Sequence, residues 1–166
     1  MLPRLDTLAS WPRRWRCSRG FGVHSPFAYS FIHDVLREHR YGYYAYDDMH
    51  DDDAMRLWFR IVCRFQPSTM SVVAPDSARL VSVARKAAPG CHMVKRGGVV
   101  RYIARGGDGH IAVGEGDVLV VGEISSEALD RLFGSMPCGM CFANASGMAI
   151  LVAWKHLPHQ RFDLFF

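Results

Sequence analysis

Residues 117–143, DVLVVGEISSEALDRLFGSMPCGMCFA, decide the fold because a strand, a helix and a second strand follow one another there. The run at 117–121 is apolar and rich in valine, which is typical of a strand buried on both faces. Ser125 is a good N-cap for a helix that ends near Gly134. The apolar run at 140–143 predicts a further strand, so the order is that of an α/β sheet.

The same alternation continues on both sides of this unit. Upstream, a helix is predicted after Ser77, and downstream Ser146 is predicted to cap a helix that runs to Pro158. We therefore predict a Rossmann-like α/β domain with a mostly parallel sheet, in which ligands bind at the carboxyl ends of the strands near the topological switch point. Further strands are predicted at 70–74, 91–94 and 161–166, and 99–104 is ambiguous between strand and helix.

The composition is that of a single globular domain. The 166 residues are 49% hydrophobic and 22% charged, which excludes fibrous and disordered chains, and the formal charge of +4 is too small to predict a nucleic-acid partner. Five cysteines, an odd number, follow no apolar secretory segment, so we expect free thiols and a cytoplasmic location. Residues 132–154 carry no charge, but Pro137 and Gly139 interrupt them, so we predict a buried strand and helix and no membrane partner.

An N-terminal helical arm, residues 1–66, is predicted to precede the Rossmann-like core at 67–166. Ser25 suits an N-cap and Pro26 the first helical position, and apolar residues recur after them at helical spacing. A second helix is predicted to begin in the acidic segment 47–53, because aspartates favour a helix N-terminus. The aromatic side chains of both helices require burial, so we expect the arm to pack on the sheet.

The arm also carries the most distinctive motif of the chain, GFGVHSPFAYSFI at 20–32. Together with Tyr-Tyr-Ala-Tyr at 43–46 and Leu-Trp-Phe-Arg at 57–60, it resembles a bacterial family of class I S-adenosylmethionine (SAM)-dependent methyltransferase-like proteins that have a GVHSPF arm. The resemblance covers roughly residues 15–67, and beyond them it is one of element order. It implies a seven-stranded methyltransferase sheet, SAM as cofactor, and methyl transfer to an unidentified small-molecule or protein acceptor.

The resemblance also implies where the functional residues lie. The arm of a methyltransferase can close over its substrate pocket, so His24 in the arm and Asn144 after a late strand are our candidate catalytic residues. The cofactor is expected against the loop after the first strand and against later turns. The candidate cofactor-binding residues are Ala74, Asp76, Ser77, Gly97 and Gly122.

Four loops depart from the family's pattern and favour a second hypothesis. One of them follows the fourth strand, where the family tends to present an aspartate and this chain has Gly-Glu at 122–123. The family's first loop is acidic and glycine-rich, whereas residues 73–78 read VAPDSA. Lys95 and Arg96 stand where an acid would hold the ribose hydroxyls, and Asn144 stands where another acid is expected. A non-catalytic binding or interaction module on the same fold therefore stays open. A chain that stops at Phe166 would leave a sheet edge unpaired, which favours association into a homo-oligomer.

Two other motifs have simpler explanations. Cys138 and Cys141 form a CxxC that overlaps a predicted strand, so we predict two buried cysteines rather than a metal or redox site, and we predict no metal site elsewhere. Arg56, Arg60 and Arg64 recur at i, i+4 and i+8. This stripe is predicted to be a solvated helix face, with phosphate contact as the alternative.

The loop after the first strand predicts weak SAM binding. Pro75 lacks an N–H donor and fixes its own φ, and Ala74 before it is driven to extended geometry. We expect a dissociation constant for SAM on the order of 0.1 mM or weaker by calorimetric titration. Replacing Ala74 and Pro75 by glycine should tighten binding. Copurification of SAM with the unmodified protein would contradict this interpretation of the loop.

Overall fold

The computed structural model describes residues 5–20, 22–38, 43–49, 52–106 and 111–166. A π-helical turn (Ile32–Leu36) and a 3-10 helix (Tyr44–Met49) lie within the arm. The α-helices are α1 (Leu5–Ser18), α2 (Pro26–Phe31), α3 (Asp53–Phe65), α4 (Ser77–Ala87) and α5 (Ser126–Gly134). The strands are β1 (Thr69–Val73), β2 (His92–Met93), β3 (Val100–Arg105), β4 (Val118–Glu123), β5 (Met140–Asn144), β6 (Ala149–Val152) and β7 (Gln160–Leu164).

The seven strands form one mixed sheet in the order β2-β1-β3-β4-β6-β5-β7. Strand β6 is antiparallel to both of its neighbours, and every other neighbouring pair is parallel. The predicted α/β class with a mostly parallel sheet is therefore confirmed, and the architecture is compatible with a Rossmann-like fold.

Hydrophobic side chains cover the two faces of the sheet in alternation. In β4, Val118 and Val120 face the helices α2, α3 and α4, while Leu119 and Val121 face α5. This alternation is the two-residue period of a strand, and burial on both faces explains the unbroken apolar run.

The arm packs on the first of these faces through aromatic side chains. Phe31 of α2 lies 4.7 Å from Phe142 of β5, and Trp58 of α3 lies 5.1 Å from Tyr102 of β3, measured between ring centroids. Arm and sheet thus share one continuous hydrophobic cluster. A domain boundary between residues 66 and 67 stays a prediction.

Side-chain caps begin both predicted arm helices. The backbone N–H of Ala28 donates to Ser25 Oγ at 3.3 Å, and that of Met55 donates to Asp52 Oδ1 at 3.1 Å. The predicted starts are therefore confirmed; His50 and Asp51 of the acidic segment lie outside the described residues. Helix α1 was not predicted, because Pro12 interrupts its pattern. It lies along β7, where the Phe165 N–H donates to Ser18 Oγ at 2.8 Å.

The helix predicted from Ser146 to Pro158 is wrong, because Ala149–Val152 form strand β6. All four of these residues are buried, and a short apolar run of this kind does not distinguish a buried strand from a buried helix. The turn before it decides the matter: Gly147 has φ +92° and reverses the chain. The uncharged stretch 132–154 is thus the end of α5 followed by a hairpin. Within the described ranges, no helix has both the length and the apolar character needed to cross a bilayer.

Gly139, at the entry to β5, provides a test of this packing. Its φ is +109°, and an added Cβ would collide with the Val152 carbonyl oxygen and lie 2.8 Å from Ala153 Cα. Gly139→Ala should therefore lower the free energy of unfolding by about 3 kcal/mol or more in urea denaturation. Gly90→Ala is the control, because nothing lies within 4 Å of its added Cβ. Equal stability of the two variants would contradict the structure at this strand.

Candidate functional site

A cleft of about 1040 Å³ opens at the carboxyl ends of β3, β4 and β5, between the sheet and the arm. Ala104, Gly122 and Asn144 line it from the sheet. The 3-10 helix and the first turn of α3 line it from the arm. In parallel α/β sheets this edge is where ligands bind.

Arg60 holds the arm side of the cleft together. Its side chain is only 9% exposed, its Nε donates to the Val35 carbonyl oxygen at 2.6 Å, and its Nη1 donates to Tyr46 Oη at 3.3 Å. The Val35 carbonyl lies in the last turn of the π-helix, where carbonyl groups lack partners within the helix. The predicted solvated face is therefore wrong at Arg60, because this guanidinium satisfies a helix end instead of facing water.

Aromatic rings of the arm line the cleft as a cluster. Tyr43 and Tyr46 lie 5.1 Å apart and pack on Phe59 at 5.4 and 5.7 Å, measured between ring centroids. Tyr44 also lines the cleft and is 95% exposed. Arg56 lies over the face of Tyr46, with its Cζ 5.4 Å from the ring centroid.

Tyr102 brings a fourth phenol from the sheet side. Its ring contacts Trp58, whose Nε1 donates to the Leu80 carbonyl oxygen at 3.1 Å. Burial, reinforced by the negative charges of Asp52 and Glu123, raises the pKa of Tyr102 above its ordinary value. Its hydroxyl is therefore protonated at neutral pH and can donate a hydrogen bond into the cleft.

Gly122 lines the cleft, as one of the candidate cofactor residues. An added Cβ there would lie 2.7 Å from the Ala104 carbonyl oxygen and 3.3 Å from Tyr102 Oη. Glycine therefore lets β3 and β4 approach closely at this edge, and it leaves the phenol of Tyr102 uncovered.

Asn144 also lines the cleft, but its side chain is used by the turn between β5 and β6. Its Oδ1 accepts from the Ser146 N–H at 2.9 Å, from Ser146 Oγ at 2.5 Å and from the Met148 N–H at 3.2 Å. Its Nδ2 donates to the Phe166 carbonyl oxygen at 3.1 Å. An asparagine that closes a turn in this way is a structural residue first.

The other candidate cofactor residues are not among the described residues that line the cleft: Ala74, Asp76, Ser77 and Gly97. The first three follow β1 at the start of α4. Gly97 lies against the middle of β1, where its carbonyl oxygen accepts a hydrogen bond from Ser71 Oγ at 2.5 Å. Of the candidate site residues, Gly122 and Asn144 are therefore the two that line the cleft.

Gly97 and Gly98 are explained by the path that the chain takes between β2 and β3. Strands β2 and β3 flank β1, so residues 94–99 must cross it in six residues, where parallel crossovers ordinarily need a dozen or more. Gly98 has φ +94°, and its Cβ would lie 3.1 Å from the Met70 backbone. Glycine is needed because the chain passes directly against the strand.

His24 and Asn144, the candidate catalytic residues, lie apart. His24 lines a shallow depression with His156 and Gln160. Gln160 opens β7 and pairs with Met140, whereas Asn144 pairs with Leu164 at the other end of that strand. Four residues of strand separate these ends by about 13 Å. The two residues therefore do not belong to one site.

The sequence interpretation missed the tyrosines as site residues. Tyr43, Tyr44 and Tyr46 were used only as part of the family resemblance. Their position beside an acidic segment could itself have indicated a binding site. Tyr102 could not be recognised as a site residue from the sequence, because the residues around it depend on the pairing of β3 with β4.

None of the cysteines is among the described residues that line the cleft. All five carry free thiols. Of the two that were predicted to be buried, Cys138 is only half-buried, whereas Cys141 is buried in β5, where burial raises the pKa of its thiol to about 12. Such a thiol is unreactive at neutral pH. Throughout the part of the chain that the structure describes, no three histidine, cysteine or acidic side chains come together as metal ligands.

No family model, curated protein or solved structure matches this chain. Its function therefore has to be inferred from the residues of the cleft and from the arm motif.

The Asn144 hydrogen bonds predict its contribution to stability. Asn144→Ala removes three accepted bonds and one donated bond, and should lower the free energy of unfolding by about 2 kcal/mol. Asn144→Asp is the matched control, because it keeps the accepting oxygen and should lose about half as much. Both values come from urea denaturation. An Asn144→Ala variant as stable as the unmodified protein would show that the turn does not depend on this side chain.

Proposed function

We propose that this chain is a methyltransferase-like protein that binds a small molecule in the cleft between arm and sheet, as a binding module rather than as an active SAM-dependent enzyme. One observation carries the proposal. The cleft lies at the carboxyl ends of β3, β4 and β5, under the arm, and none of its described lining residues comes from the loop after β1.

The size and make-up of the cleft support a small molecule as ligand. Ligand sites are concave, of roughly 300–1,000 Å³, and combine apolar walls with a few polar groups. This cleft has about that volume, with tyrosine rings on the arm side and the Tyr102 hydroxyl on the sheet side. The arm forms one wall of the cleft and is itself packed on the sheet through buried side chains.

The residues after β1 do not fit SAM. Pro75 offers no N–H, and Ala74 has a side chain where the family has glycine close to the cofactor. Asp76 precedes α4 and its carboxylate makes no capping bond to the helix. Lys95 and Arg96 after β2 bring positive charge where a carboxylate would bind the ribose.

An active methyltransferase is the second candidate. The GVHSPF motif favours it, as does a sheet of seven strands, the number that the resemblance implies. In such an enzyme the methyl acceptor would lie between arm and sheet, held near Gly122 and Asn144, and proximity would supply much of the rate. SAM binding at low micromolar concentration would promote this candidate over the binding module.

Blocking the cleft tests the proposed function. Ala54 is exposed, lines the cleft and is the second residue of α3, so Ala54→Trp should obstruct part of the cleft without disturbing the core. We expect the variant to lose more than about tenfold in affinity for fragments that bind the unmodified protein, as measured by saturation-transfer NMR with a panel of cationic, anionic and neutral fragments.

Ala78→Trp is the matched control, because Ala78 is also exposed and is the second residue of α4, away from the cleft. It should bind the fragments as the unmodified protein does. If no fragment class binds, or if both tryptophan variants bind equally well, the cleft is not a ligand site.

A further inference from the structure

The cleft is acidic although the chain as a whole is basic. Among its described lining residues, four carboxylates and two guanidinium groups leave a formal charge of −2, against +4 for the whole chain. Both walls contribute acids, since two elements of the arm and strand β4 carry them. The carboxylates are those of Glu38, Asp47, Asp53 and Glu123.

Both arginines of the cleft are engaged by the protein itself. Arg60 donates to the Val35 carbonyl oxygen and to Tyr46 Oη. Arg56 lies over the Tyr46 ring, with its Nη1 3.8 Å from Asp53 Oδ1. Neither guanidinium is therefore directed at a ligand. Glu123 is paired with Arg105, whose Nε lies 3.2 Å from Glu123 Oε2, but Arg105 is exposed and is not among the described lining residues, so the lining itself keeps its excess of carboxylates.

Tyrosine faces and edges complete the lining. An aromatic ring attracts a cation to its face, and groups of aromatic rings recognise alkylammonium ligands in this way. The contact between Arg56 and Tyr46 shows that a ring of this cluster already accepts a cation. Tyr43, Tyr44 and Tyr102 line the same cavity. Burial and neighbouring charges raise the pKa of Tyr43 as well as that of Tyr102, so both rings stay neutral at neutral pH.

The geometry points to an organic cation, of the alkylammonium class, as the ligand of this cleft. The inference rests on the proposed function, because the cleft must first be a binding site. Carboxylates supply the attraction for the charge, and tyrosine rings supply the contact with its methyl or methylene groups. A bare metal ion fits less well, since no three potential metal ligands come together within the described ranges.

Choline and its uncharged isostere 3,3-dimethylbutan-1-ol test the inference, since they differ only by the charged nitrogen. Benzoate serves as the anionic probe. Calorimetric titration of the full chain at low salt should give choline at least tenfold higher affinity than the alcohol, which is about 1.4 kcal/mol, and no binding of benzoate. Raising the salt concentration should weaken choline binding and leave the alcohol unaffected.

Charge-neutralising variants locate the effect. Asp47 and Glu123 are exposed, so Asp47→Asn and Glu123→Gln should fold normally, which thermal melts will verify. We expect each to weaken choline binding about threefold to fivefold without changing the affinity of the alcohol. Asp76→Asn is the control, because Asp76 is an exposed carboxylate that does not line the cleft.

The possible failures are distinguishable. Equal affinity for choline and the alcohol, tighter binding of benzoate, or unchanged choline binding in both cleft variants would overturn the cation inference and leave the cleft as a binding site. Absence of binding by all three probes, with no fragment sensitive to Ala54→Trp, would remove both proposals.

Discussion

The buried guanidinium of Arg60 determines how the segments of the arm are arranged around the cleft. Burying a charge is costly unless hydrogen bonds compensate it, and Arg60 has two: one to the end of the π-helix and one to Tyr46. These bonds join α3 to both of the segments that precede it. Trp58 of the same helix packs on Tyr102, so this helix also contacts β3 near the cleft. The tyrosines and carboxylates of the arm therefore line the same cleft as Tyr102.

The other constraint is the short crossing at β1. A connection of six residues between β2 and β3 has room for no helix, so the chain passes against the Met70 backbone and needs Gly98 there. The cleft lies at the carboxyl ends of β3, β4 and β5, where Gly122 allows close strand packing and the arm forms the opposite wall.

Much of the fold could be predicted from local patterns, and much of the site could not. Valine-rich β4 and the Ser25 and Asp52 caps are signals contained within a few residues. The segment 149–152 was mistaken for helix because full burial removes the periodicity that separates the two structures. Tyr102 meets the arm only through strand pairing, and the buried role of Arg60 depends on a carbonyl 25 residues away in sequence. Such neighbourhoods are tertiary and leave no mark on the local sequence.

The insertion of β6 between β4 and β5 has a consequence for the order of folding. β4 and β5 are consecutive parallel strands, yet they share no hydrogen bonds and are connected only through β6, which follows both in the chain. A chain emerging from the ribosome therefore cannot complete the centre of its sheet when α5 and β5 have formed. The β5–β6 hairpin is local and can form quickly, but its docking on β4 closes a loop of some thirty residues. Until that docking occurs, the edge of β4 that β6 later covers is open to pairing with another chain. The turn that Asn144 holds favours the β5–β6 hairpin and therefore shortens this period.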